Sequence, residues 1–187
     1  MPSVLYREKQ WELCKSNICV IFDWNWEDQH PDNLLTSLTQ QIIYSHSCNK
    51  KCDKPIEILV TNLSDVIREK LIKVNYLKWD CFHHSSLNLE KFIHNGRFIS
   101  SGRSSNDNIN VDVDVDVDLD VDKNLCDRLY GRTDKKKIIY LSADADEVLD
   151  EIDDDNIFII GAITDRNSMP GAALKRAKAL GGMRCCR

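Results

Sequence analysis

The apolar stretch FIIGAITDRN (Phe158 to Asn167) passes through Gly161 and then stops on Asp165, Arg166 and Asn167, an acid, a base and an amide in consecutive positions. A carboxylate at such a place can take up a proton, an amide can donate and accept hydrogen bonds, and a guanidinium can hold an anion. Asp23 closes a second short apolar run, ICVIFD, in the same way, and the acids of SADAD follow a third run that ends at Leu141. Taken alone, Asp165 serves equally well as a cap for a helix beginning near Pro170. Asp23 likewise suits a strand-ending residue bonded to nearby backbone N–H groups. The eight cysteines include no CxxC pair and no His/Cys ligand spacing, so the thiols are read as reduced and no zinc is expected. Cys48 and Cys52, one helical turn apart, and the adjacent Cys185 and Cys186 leave a metal or redox role as the secondary reading.

The elements that would position these groups alternate. ICVIFD reads as a strand, and DNLLTSLTQQIIYSHS carries Leu34, Leu35, Leu38, Ile42 and Ile43 at helical spacing. PIEILVT reads as a second strand, followed by a helix over SDVIREKLIKV that Ser64 caps, and Trp79 introduces a short third strand. KKIIYLSADADEVLDEI predicts a strand through Leu141 and then a helix opened by Asp144 and Glu147 in the spacing of a capping box. NIFIIGAI is the most apolar strand, and its helix, PGAALKRAKAL, has Pro170 near its start and Gly181 just past its end. Strands alternating with helices of this length predict an α/β fold, a parallel sheet with helices on both faces. In such a sheet ligands collect in the crevice beyond the carboxyl ends of the strands, where Asp23, SADAD and Asp165 all fall.

With 187 residues and a hydrophobic content of 42%, one globular domain is expected. No apolar run approaches the length of a membrane span and no signal-peptide pattern opens the chain, so a soluble intracellular protein is expected. The net charge of −5 is localised. Six aspartates lie in VDVDVDVDLDVD (Val111 to Asp122), and leaving them out moves the balance from −5 to +1. As a strand this segment would line like charges along one face, so it is read, with the Gly/Ser/Asn-rich residues before it, as a disordered low-complexity insertion at about 94–124. A calcium-binding ribbon is the weaker alternative, because the turn glycines of such sites are missing. The domain reading is therefore an N-terminal stub over 1–17 and one domain over 18–187 that the insertion interrupts. Short basic clusters (YREK, NKKCDK, DKKK and LKRAKALGGMR) suit a face for RNA.

The series VIFD, SLTQQIIYSHSCNKK, PIEILVTNL, Trp79, IIYLSADADEVLDEID, IFIIGAITDRN and KRAKALGGMRCCR resembles the tRNA purine-9 N1-methyltransferases of the SPOUT class. The resemblance covers about Ile18 to Trp79 and Lys137 to Arg187. It implies S-adenosylmethionine as cofactor, tRNA as partner, a monomer, and methyl transfer to N1 of guanine at tRNA position 9. It also implies an active site of Asp23, Gln41, Asn49 and Asp165. Asp165 is then the general base, because neutral guanine carries a proton on N1 that must leave as the new bond forms. Gln41, Asn49 and Asn167 would meet a base edge and Lys50 and Lys51 phosphate. Asp23 would bind substrate or support the site, and Leu141, Gly161 and Ala162 would line the cofactor. Ala162 stands where the family usually has a second glycine, so its methyl is expected to narrow the pocket. The target base, stacked in the tRNA body, must be extruded. The family continues after GMRCCR through a strand, a glycine-bearing loop and a final helix that form the knot around the cofactor. An incomplete knot with an unpaired sheet edge is therefore expected, and a catalytically inactive RNA- or partner-binding relic is the alternative reading. The stub lacks the pattern of a mitochondrial presequence, which points to cytoplasm or nucleus.

Overall fold

A computed structural model describes residues 18–26, 30–92, 137–154, 156–163, 169–181 and 183–187. The N-terminal stub, the acidic insertion, Asp165 and Asn167 lie outside the described residues. The order of elements is β1 (Cys19–Asp23), α1 (Asp32–Asn49), β2 (Glu57–Thr61), α2 (Asp65–Ile72), a 3-10 turn (Tyr76–Lys78), β3 (Phe82–His84), β4 (Lys137–Leu141), β5 (Asn156–Gly161), α3 (Ala172–Ala179) and β6 (Arg184–Cys186). The strands form one sheet in the order β3-β2-β1-β5-β4-β6, and every neighbouring pair is parallel. The expected α/β class is the class observed. Among the described residues no helix is long and apolar enough to cross a membrane.

The two-residue period of the strands sorts their side chains between two layers. Cys19 and Ile21 of β1, Ile157 and Ile159 of β5 and Tyr140 of β4 pack with Ala177 of α3. On the opposite face Ile58 and Val60 of β2 pack against Leu35, Leu38 and Ile42 of α1 and Ile67 and Leu71 of α2. α1 is helical because its buried residues, Leu35, Leu38, Thr39, Ile42, His46 and Asn49, recur every three or four positions and give it one inward stripe. α2 begins where expected, with the Ser64 hydroxyl accepting from the Ile67 N–H. α3 follows Gly171, held at φ 70°, and Gly181 beyond its end has φ 96°, two backbone states that favour glycine.

The structure departs from expectation in four places. The third strand begins at Phe82, three residues after Trp79, whose ring stacks on His46 with centroids 4.2 Å apart. Among the described residues between β4 and β5 there is no helix. The Asp144 carboxylate accepts from the Gly171 N–H and the Glu147 carboxylate from Arg184, so the two supposed capping acids are taken by distant partners. Like charges crowded through DEVLDEIDDD also disfavour helix there. A strand that was not expected, β6, pairs with β4 in parallel register from Ile139↔Arg184 to Leu141↔Cys186 and is the last strand of the sheet on that side. Finally, Cys81 is disulfide-bonded, whereas all thiols were expected to be reduced.

Candidate active site

The carboxyl ends of β1, β5 and β4 lie side by side, and one buried polar network ties them together. Asp23, at the end of β1, is fully buried. Its Oδ2 accepts from the Tyr140 hydroxyl at 3.1 Å and from Arg176 Nε at 3.0 Å. Arg176, from α3, directs the other side of its guanidinium at Glu90, with Nη2 to Oε2 at 3.0 Å and a second hydrogen bond from Nη1 to Oε1. Residues at 23, 90, 140 and 176 thus meet in one chain of charge-assisted hydrogen bonds.

Gly161 makes the meeting possible. Tyr140 is on β4 and Asp23 on β1, with β5 between them, so the phenol must cross β5 to reach the carboxylate. It crosses where Asp23 pairs with Gly161. A Cβ on Gly161 would lie 3.0 Å from the Trp26 ring and 3.2 Å from the Tyr140 hydroxyl oxygen, closer than such packing ordinarily allows. Ala162, one residue on, faces the other side of the sheet and packs with Trp24, Leu35 and Leu38. Its methyl therefore lies in the core beneath α1, not in the crevice it was expected to narrow. Its N–H donates to the Asp23 carbonyl at 2.9 Å, which extends the β1–β5 ladder by one bond.

Burial sets the electrostatics. It pushes the Asp23 carboxyl above its ordinary value of 3.8, while the bonds from Arg176 and Tyr140 pull it back toward ionisation. Arg176 is affected the other way: its bonds to Glu90 and Asp23 outweigh burial and hold it more firmly protonated. The 3.0 Å ion pair is the arrangement of an ionised carboxylate whose burial Arg176 offsets. Burial and the neighbouring carboxylate together push the Tyr140 hydroxyl up, so it stays a donor.

The other candidates are dispersed. Gln41 is exposed on α1, and Lys50 and Lys51 are exposed just beyond its end. Asn49 is buried, its amide committed to Ile56: Nδ2 donates to the carbonyl at 2.8 Å and Oδ1 accepts from the N–H at 2.9 Å. Leu141 and Gly161 are half-buried at the ends of adjacent strands. A cavity of about 470 Å³ lies on the other side of Asp23, at the ends of β1 to β3, between Asn25, Asn62, Ser64, Arg68 and Ser86. Tyr140, Glu90 and Arg176 escaped the sequence reading. Arg176 was placed in a basic surface run, yet it lies three residues after Ala173 and four before Leu180, both packed against the core, and that helical spacing was the signal for an inward side chain.

The parallel six-stranded sheet with its helices is an α/β fold of SPOUT type. The full-length spTrm10–SAH crystal structure matches it with a TM-score of 0.66 at 23% identity, covering 93% of this chain and 77% of that one. The chain belongs to the family described as tRNA (guanine(9)-N(1))-methyltransferase TRM10/TRM10A, whose model matches residues 3–185. It is similar to the tRNA (guanine(9)-N1)-methyltransferase of Cryptococcus neoformans var. neoformans serotype D, at 28% identity over 174 residues, 87% of this chain and 44% of the relative. The enzyme of the same name from Schizosaccharomyces pombe is 25% identical over 174 residues, 91% of this chain and 44% of the relative. The chain thus spans less than half the length of these two curated relatives.

Proposed function

We propose that the protein is a tRNA methyltransferase that moves a methyl group from S-adenosylmethionine to N1 of guanine at tRNA position 9. The observation that carries this reading is the family match along residues 3–185, joined to the convergence of the ends of β1, β4 and β5 on one crevice.

The residues at the crevice fit the cofactor. Leu141 and Gly161 offer a half-buried apolar side chain and a bare backbone edge, a ledge suited to an adenosyl group. Gly161 is also required by the packing of Trp26 and Tyr140. Bound there, S-adenosylmethionine supplies an electrophilic methyl on sulfur. Asp165 accepts the N1 proton as the base attacks, a contribution on the order of 10²–10⁴ in rate. Gln41 and Asn167 meet the extruded base, and Lys50 and Lys51 hold phosphate. Asn49, with its amide on Ile56, holds the end of α1 against the start of β2 and so sets where Lys50 and Lys51 stand. Asp23, sealed under α3, supports the site without touching substrate. The protein acts as a monomer in cytoplasm or nucleus, a reading to be tested by sedimentation and cell fractionation.

The test is methyl transfer from labelled S-adenosylmethionine to tRNA transcripts carrying guanine or adenine at position 9. The expected result is label on guanine-9 alone, with D165N reduced at least tenfold in rate. Unchanged methylation by D165N removes the general base from the mechanism. Tight tRNA binding without any transfer favours the relic.

A further inference from the structure

We propose that Arg176 is a positioning residue of this site: anchored by Glu90, it fixes Asp23 and, through the Tyr140 hydroxyl that crosses at Gly161, locks the ends of β1, β5 and β4 in one arrangement. The consequence for rate rests on the methyltransferase reading above. The consequence for structure does not.

Three strand ends border the crevice, and main-chain hydrogen bonding alone holds them weakly there, since the ladder between β1 and β5 finishes with the Ala162 N–H on the Asp23 carbonyl. Beyond that bond the cross-ties are side chains. Both hydrogen bonds to the Asp23 carboxylate fall on the same oxygen, Oδ2, and among the described residues Oδ1 is buried without a partner. The carboxylate is therefore held through one oxygen, by one phenol and one guanidinium.

Arg176 is the only cation in that set, and its side chain is nine-tenths buried. The planar fork matters as well as the charge. Nε serves Asp23 while the two Nη atoms serve Glu90, so one rigid group spans two carboxylates that lie far apart in the sequence. Lysine would bring the charge but not the fork. Fixing Asp23 in turn fixes the two groups that lean on it, the Ala162 N–H on its main chain and the Tyr140 hydroxyl on its side chain. Both belong to the strands whose ends carry Leu141 and Gly161. Arg176 thus reaches the crevice through Asp23, without entering it.

The experiment compares R176Q, R176K, Y140F and the double variant D23N/R176Q with wild type in two readouts. The first is hydrogen exchange at the Ala162 amide, which needs no cofactor or tRNA. R176Q and Y140F are expected to exchange faster than wild type, and D23N/R176Q to regain protection relative to R176Q, because the buried charge left alone by R176Q has gone. The second is the single-turnover rate on guanine-9 tRNA against pH. R176Q is expected to lose about a hundredfold, the cost of a small misplacement at a reacting centre, with the KM for tRNA unchanged. Its acid limb moves to higher pH, because Asp23 has lost the cation that keeps it ionised. R176K returns the acid limb toward wild type without restoring the exchange protection. A purely structural role would lower the rate equally at every pH. Wild-type exchange at Ala162 in both R176Q and Y140F overturns the proposal. If R176Q does not fold, R176K and Y140F decide by the same exchange comparison. Failure of the wild-type protein to methylate tRNA removes the methyltransferase reading and leaves the exchange comparison to decide this one.

Discussion

The two faces of the sheet are held together by different physics. Beneath α1 and α2 the contacts are apolar: Leu35, Leu38, Ile42, Ile67 and Leu71 close over Ile58 and Val60. Beneath α3 the apolar layer of Ile21, Ile157 and Ile159 gives way, at the carboxyl end, to Asp23, Tyr140 and Arg176. An apolar contact is non-directional, and losing part of it costs in proportion to area and cavity. A buried ion pair is directional, and losing one partner leaves the other charge stranded. The first face supports the fold, and the second also dictates the shape of the crevice.

Substitutions can break or sharpen that contrast. R176Q should have the largest effect, destabilising by about 3–5 kcal/mol in denaturant unfolding, because Asp23 is left charged and buried. L71A, on the opposite face at a fully buried position, should cost about 2–5 kcal/mol. The two then separate by activity: L71A should retain the wild-type rate per folded molecule, and R176Q should not. Equal rates would erase the distinction between the faces. G161A should cost about 1–3 kcal/mol through its contacts with Trp26 and Tyr140, and its double-mutant cycle with Y140F should show coupling. Additive effects would mean that the phenol does not depend on the glycine. S64A should cost about 1 kcal/mol by removing the cap of α2, with no change in rate.

A pH series sharpens the same comparison. The folded carboxyl of Asp23 titrates above 3.8, its ordinary value, so the folded state binds that proton more tightly than the unfolded chain does. The stabilisation this gives is fully present below 3.8 and is lost as pH rises through the folded value. Relative to wild type, D23N should therefore gain in unfolding free energy as pH rises through that window. No such trend should accompany L71A, which removes an apolar side chain and no titrating group.

What could be read along the chain was whatever depends on neighbours in sequence. NIFIIG, CVIFD and EILVT announce buried strands by their apolar content, the stripe of α1 announces itself by its spacing, and Ser64 announces a cap. The parallel α/β class followed from their alternation, and the family from the order of seven short stretches. Asp144 and Glu147 cap no helix, because local spacing suits a helix while distant partners, Gly171 and Arg184, take the carboxylates. β6 was missed because three residues carry too little pattern to announce a strand.

The sequence by itself determined the fold class, the family and the placing of acids at strand ends, since each depends on periodicity and order. Only the tertiary structure decided that Asp23 is sealed away, that Arg176 points inward, and that Tyr140 reaches Asp23 across a strand at the one position without a side chain. Those contacts join residues 117 and 153 positions apart. Their existence depends on which strands become neighbours and how closely they pack, and no local pattern carries that information.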